Sequence, residues 1–166
     1  MYNAISLKNI TEDGLILADE TERFWTVESL KNEYFTHIGD VLLRLSAPYT
    51  SALITEKESG LLVPSHFAII RVNETVVPAY LHWWLMKNRK QFYKIASGTS
   101  MMGTISSGYV SEIEFEVLPL HLQAQIGELI ILANREQNLI ALLADKKRQF
   151  VNATITNIKN QNKEML

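Results

Sequence analysis

The sequence contains no cysteine, which excludes a disulfide framework, thiolate metal sites and a cysteine nucleophile. A reducing cytoplasm is the expected compartment. Glycine (7) and proline (4) are scarce among the 166 residues, and no uncharged apolar run approaches the length that crosses a bilayer. The opening residues, MYNAISLKNITEDG, lack the basic stretch followed by an apolar core that marks an export signal. Neither membrane insertion nor export is expected. An excess of positive charge is missing as well. At a net charge of −2 the chain has no global field for a polyanion, so DNA would have to be met by a local patch or with help from other subunits. What is present, 47% hydrophobic and 20% charged residues, suits a soluble globular domain that buries a core.

Periodicity divides the chain at Leu118-Pro119. Before it, short apolar bursts alternate with turn residues: SLKNI, TEDG, LILA; IGDVLLRLSA; SALIT, EKESG, LLVPSHFAIIRV; and EIEFEVLPL. Bursts of this length with β-branched residues and alternation, as at Ile113, Phe115 and Val117, predict strands. Within this region PAYLHWWLMKNRK (78–90) has proline at a helix start and Tyr80, Leu81, Trp84 and Leu85 at helical spacing. It predicts a helix on a sheet, with NRKQFYKIA (88–96) continuing it or forming a second one. Tyr80, Leu81, Trp84 and Phe92 are expected in the core, and Trp83 at its periphery.

After Pro119, Ile126, Leu129, Ile130, Ala133, Ile140, Leu143, Phe150, Val151 and Ile158 recur at three- and four-residue steps, with only Gly127 interrupting. One long amphipathic helix over 121–159 is predicted, too long to bury its whole stripe on a domain of this size. Glu128, Arg135, Asp145, Lys146, Arg148 and Lys159 supply its solvated face. The helix has the composition of a coiled-coil arm, and its heptads leave parallel and antiparallel pairing open. The fold class is therefore α+β: a mixed, β-rich domain at 1–118 with packed helices, then a helical arm at 119–166.

Catalytic motifs are few. His37, His66, His82 and His121 are scattered without metal-ligand spacing, and there is no Walker loop, dinucleotide fingerprint or nucleophile elbow. No cofactor or metal is expected, and a binding module is a better default than an enzyme.

Several segments together resemble a known family. Gly39-Asp40-Val41-Leu42-Leu43, the polar stretch Ser46-Ala47-Pro48-Tyr49-Thr50 and Val63-Pro64-Ser65-His66-Phe67-Ala68-Ile69-Ile70-Arg71 are followed by Pro78-Ala79-Tyr80-Leu81. The Gly98-Thr99 loop with Ile105 comes next, and then Pro119-Leu120 with Gln123 and Ile126. In this order they resemble the target recognition domain of type I restriction–modification specificity subunits, whose strand-to-helix joint commonly reads P-L-x-E-Q-x-x-I. Leu122 stands where that joint usually has glutamate. Specificity subunits carry two recognition domains and two long helices, whereas this chain has one of each and looks like a half-subunit. The resemblance implies a homodimer that recognises double-stranded DNA. It places catalysis in a methyltransferase subunit and, in systems that cleave, a restriction subunit. The competing expectation is a structural or interaction protein that dimerises or docks a partner through its helix without binding DNA.

The uncharged segment SGTSMMGTISSGYV (97–110) fits that implication. Hydroxyls and backbone amides can bond to bases and phosphates, and methionine can touch a thymine methyl or wedge at a step. Thr99, Ser100, Met101, Met102 and Thr104 are candidate DNA contacts; the alternative is that the methionines fill a core gap while the glycines turn a hairpin. Arg44, Ser46, Tyr49, Thr50 and Lys57 flank the loop after the Gly39-Asp40 strand, in the neighbourhood where the family contacts DNA. Lys87, Arg89 and Lys90, with Lys94, form the densest basic cluster and suit phosphates, although cations at a helix end need no such reason. Leu129, Ala133, Ile140, Leu143 and Phe150 are the expected dimer or partner interface.

Overall fold

The computed structural model describes residues 1–17, 21–99 and 103–163, with the backbone alone for 98, 99, 162 and 163. The chain is α+β. Strands β1 (Tyr2–Ala4) and β2 (Glu22–Phe24) form an antiparallel pair, and β3 (Val41–Arg44), β4 (Ser51–Leu53) and β5 (Phe67–Ile70) form an antiparallel sheet in the order β4-β3-β5. Helices α1 (Pro78–Asn88), α2 (Lys90–Thr99), α3 (Ser107–Ser111) and α4 (Leu120–Lys163) follow. Contacts divide the chain into two compact units, Met1–Ile130 and Ile131–Leu166.

The central strand β3 is buried on both faces. Val41, Leu43 and Leu45 enter one apolar cluster with Tyr49, Leu81, Leu85, Phe92 and Ile105. Leu42 points into the other, with Ile5, Ile10, Ala52, Ile54, Val63 and Phe67. The two-residue side-chain period of a strand accounts for the split. At its start, Gly39 has φ +88 and turns the chain into the strand. Asp40 beside it is buried, accepts from the His37 amide at 2.8 Å and receives both Nε (3.1 Å) and an Nη (3.2 Å) of Arg71. The Gly39-Asp40 pair is thus a structural joint between β3 and the end of β5.

Helices α1 and α2 form as the sequence predicts, except that α2 runs on through Gly98 and Thr99, expected as a loop, and that α3 lies in a segment also expected as a loop. Pro78 opens α1, and Tyr80, Leu81 and Leu85 are buried. Arg89 separates α1 from α2, and Phe92 and Ala96 carry α2 into the same core. Trp84 packs against that core, while Trp83 lies at its edge against Tyr80 with the Lys87 ammonium 4.7 Å from its ring centre.

Two strand expectations are corrected. SLKNI forms a 3-10 turn at Leu7–Asn9 rather than a strand. Residues 113–118 form no strand, although their alternation is real: Ile113 and Phe115 pack on the core, Phe115 against Tyr80 and Trp84, while Val117 is exposed. Among the described residues no strand lies alongside to complete a ladder; the backbone instead accepts from the Tyr80 hydroxyl at the Glu116 carbonyl, 2.7 Å. The first turns of α4 lie within the first compact unit. Gln123 fastens them. Its side chain is fully buried, its Oε1 accepts from the Val77 amide (2.8 Å), and its Nε2 donates to the carbonyls of Leu118 (2.7 Å) and Thr75 (3.1 Å). One turn on, a Cβ at Gly127 would come within 3.1 Å of the Ala79 Cβ, so glycine permits the close approach to α1.

Gln123→Leu keeps the volume but removes the partner of three part-buried backbone groups, the Val77 amide and the Leu118 and Thr75 carbonyls. It is expected to lower stability by about 1–3 kcal/mol, read as a reduced urea midpoint. A second prediction concerns His82, which is 3% exposed, with Nδ1 2.8 Å from the Ser51 hydroxyl. Burial lowers its pKa from 6.5 to about 4. Between those pH values the unfolded chain takes up the proton and the folded chain does not. His82 therefore contributes full stability above pH 6.5 and loses about 3 kcal/mol of it as pH falls to 4. The melting temperature of His82→Gln should decline less over this window than that of the unsubstituted protein.

Candidate nucleic-acid interface

The β3–β4 connection begins where Leu45 leaves the strand. Its amide donates to the His66 carbonyl (3.0 Å), and its carbonyl accepts from the Ile105 amide (2.8 Å). Ser46 and Thr104 then form an antiparallel bridge. Three segments distant in sequence meet along this line: the end of β3, the turn before β5, in which the Phe67 amide bonds the Pro64 carbonyl (3.1 Å), and the stretch entering α3. Ser106 caps α3 by accepting from the Tyr109 amide at 3.1 Å.

Between them lies a cleft of about 470 Å³ lined by Leu45, Ser46, Ser65, His66, Thr104, Ile105, Ser106 and Ser107. Five of these carry hydroxyls, each able to donate and accept. Arg44 borders the cleft and donates from Nε to the Ser46 hydroxyl (3.2 Å). The His66 ring is tilted on Phe67, with centroids 4.7 Å apart, and its Nε2 is buried without a hydrogen-bond partner among the described residues. Burial first, and then the nearby Arg44 charge, lowers its pKa from the ordinary histidine value, against a smaller opposing effect of Glu22. His66 is therefore neutral at pH 7, and its tautomer can present a donor or an acceptor. Such a surface can exchange hydrogen bonds with base edges, while Arg44 supplies a cation for a phosphate.

The residues expected to contact DNA separate into groups. Arg44, Ser46 and Thr104 meet at this cleft. Tyr49 and Thr50 are buried instead, which removes them from any contact surface in this conformation. Tyr49 adopts φ 53, packs against Phe92 and edge-on to Tyr93, and donates its hydroxyl to the Gly103 carbonyl at 2.5 Å. Burial, followed by Tyr93, raises its pKa, so the hydroxyl keeps its proton. It pins one end of the polar segment to the core. Thr50 accepts the Arg44 amide at its carbonyl (2.9 Å), as part of the hairpin.

Lys57 is exposed in the 3-10 turn Glu56–Glu58 and does not line the cleft. Lys87, Arg89 and Lys90 lie at the α1–α2 junction, also outside its lining; Lys87 covers Trp83, and Arg89 donates to the Glu12 carbonyl (3.2 Å). Ser100, Met101 and Met102 lie outside the described residues, and Thr99 ends α2, with only its backbone described. Ser65, His66, Ser106 and Ser107 are not among the individually expected DNA contacts, although Ser106 and Ser107 belong to the uncharged segment 97–110. They are remote from Ser46 along the chain, and only the pairing of β3 with β5 and of Ser46 with Thr104 gathers them.

The expected interface residues are exposed on α4. Leu129 is 67%, Leu143 69% and Phe150 71% accessible, and Ala133 and Ile140 are exposed beside them. No helix among the described residues is long and apolar enough to cross a membrane.

The position of Tyr49 is testable. Tyr49→Phe should cost about 1–2 kcal/mol of stability in urea denaturation, because the Gly103 carbonyl loses its donor. Unchanged stability with altered DNA selectivity would return Tyr49 to the DNA-facing set. No protein-family model matches the sequence, and no match is found among curated proteins.

Proposed function

We propose that the chain is the sequence-specific DNA-recognition subunit of a type I-like restriction–modification or methyltransferase complex, working as a homodimer of half-subunits. Catalysis belongs to a separate methyltransferase subunit and, in systems that cleave, to a restriction subunit. The observation that carries this reading is the convergence of the Ser46, Ser65, Thr104, Ser106 and Ser107 hydroxyls with His66 in one cleft bordered by Arg44. Hydroxyls and a neutral imidazole can match donors and acceptors on bases, whereas an acidic lining would repel the duplex. The exposed apolar stripe of α4 supports the second element, since contiguous exposed apolar side chains favour an interaction surface.

With few cations at the cleft and a net charge of −2, the isolated chain is expected to bind DNA weakly and with a shallow salt dependence. The methyltransferase partner should strengthen binding. Selection from a randomised duplex pool by the assembled complex tests the site. Ser65→Ala with Ser107→Ala should relax the base preference by about 1–3 kcal/mol for each lost contact. Arg44→Ala should weaken all sequences alike and reduce the salt slope. If base preference survives the serine changes and the salt slope survives the arginine change, the cleft is not the reading surface. The chain is then an interaction protein that docks a partner through α4.

A further inference from the structure

Beside the hydroxyl-lined cleft lies a second recess of about 300 Å³, and the two share Leu45, Ser65 and Ser107. The second recess differs in its walls, which are Val63, Pro64, Phe67 and Ile69 together with Tyr34. Val63, Phe67 and Ile69 also pack in the apolar cluster around Leu42, so the recess is a place where the core reaches the surface on walls held by the sheet. Main-chain donors around it are already used. The Val63 amide bonds the Tyr34 carbonyl (2.9 Å), the Phe67 amide the Pro64 carbonyl (3.1 Å) and the Leu45 amide the His66 carbonyl (3.0 Å). At the junction of the two recesses Ser65 and Ser107 are exposed, and among the described residues their hydroxyls make no hydrogen bond. A group that fits here is apolar at one point and able to exchange a hydrogen bond beside it.

Among the major-groove edges of the bases, thymine alone sets a methyl group next to a hydrogen-bond acceptor, its O4. We propose that the second recess takes the C5 methyl of a thymine in the recognised duplex, against Val63, Phe67 and Ile69, while the Ser65 or Ser107 hydroxyl donates to O4 of the same base. The lining suits this arrival. No acidic or basic side chain lines either recess apart from the neutral His66, so no ion loses its water as the methyl enters. The other bases fit less well. Cytosine offers an amino donor and no methyl at this edge, and adenine and guanine turn the acceptor N7 toward the apolar wall, where it gives up water without gaining a donor. The recess is larger than a methyl group, so the preference comes from removing apolar surface from water and from the unpaired polar atoms of the wrong bases, and not from a close steric fit.

This assignment rests on the reading of the cleft as a DNA surface, and it adds which base edge the surface takes. Deoxyuridine, which lacks only the thymine methyl, tests it. In the duplex selected by the assembled complex, each thymine is replaced singly by deoxyuridine and the two duplexes compete for the protein. At the position seated in the recess the thymine duplex should bind about fourfold more tightly, the worth of one buried methyl group. Ile69→Thr keeps the branched Cβ and puts a hydroxyl into the wall, so it should bring that ratio close to unity. Because the ratio is read on folded protein alone, a loss of stability does not imitate this effect, and the comparison with the unsubstituted chain needs no variant at all. A selected site without thymine, deoxyuridine tolerated at every position, or an unchanged ratio in Ile69→Thr would each overturn the assignment. The two proposals fail differently. A complex that selects no sequence defeats the recognition role and this assignment with it, whereas a selected sequence read without any methyl preference defeats only this assignment.

Discussion

Strand β3 has no solvent face, and that constraint organises the first unit. Its odd-numbered residues require a cover of helices, supplied by α1 and α2 through Leu81, Leu85, Phe92 and Ala96. Leu42 requires a cover of loops and short strands, supplied by Ile5, Ile10, Ile54 and Val63. A strand buried on both sides leaves its two ends as the places where the chain can meet a ligand. One end is closed by Asp40 and Arg71. The other runs through Leu45 into Ser46, where backbone bonds to His66 and Ile105 bring two polar segments alongside it. The cleft is therefore a consequence of how the sheet ends, and its hydroxyl lining sits on a scaffold anchored by a buried core.

Tyr49 shows how closely core and cleft are joined. Its ring fills space against Phe92 and Tyr93 while its hydroxyl holds Gly103, one residue before Thr104. A residue in a polar stretch of sequence is thus an aromatic anchor whose effect on the cleft is positional. Gln123 plays a comparable part at the start of α4, where an amide side chain satisfies backbone groups of two other segments that no regular ladder reaches.

Much of this architecture was legible in the sequence. Pro78 with Tyr80, Leu81 and Leu85 marked α1, and the three- and four-residue recurrence after Pro119 marked α4 nearly to its ends, because helix periodicity is a local property of side-chain spacing. The bursts VLL, SAL and FAII marked β3, β4 and β5 for the same reason. The alternation at Ile113, Phe115 and Val117 misled, since an alternating face can pack on a helix without any strand beside it.

What local pattern determined, then, was the type of most elements, the apolar stripe of α4 and the absence of cysteine chemistry. Tertiary structure decided which polar residues face solvent and which hold the core. Ser46 and Tyr49 are three residues apart in one polar stretch, yet one lines the cleft and the other is buried, because the turn between them reverses the chain over the α2 aromatics. Ser65, His66, Ser106 and Ser107 could not be grouped with Ser46 by spacing, since strand pairing and the Ser46–Thr104 bridge join segments twenty to sixty residues apart. Periodicity reports the neighbours a residue has along one element; a site is made of neighbours across several, and those exist only once the sheet has closed.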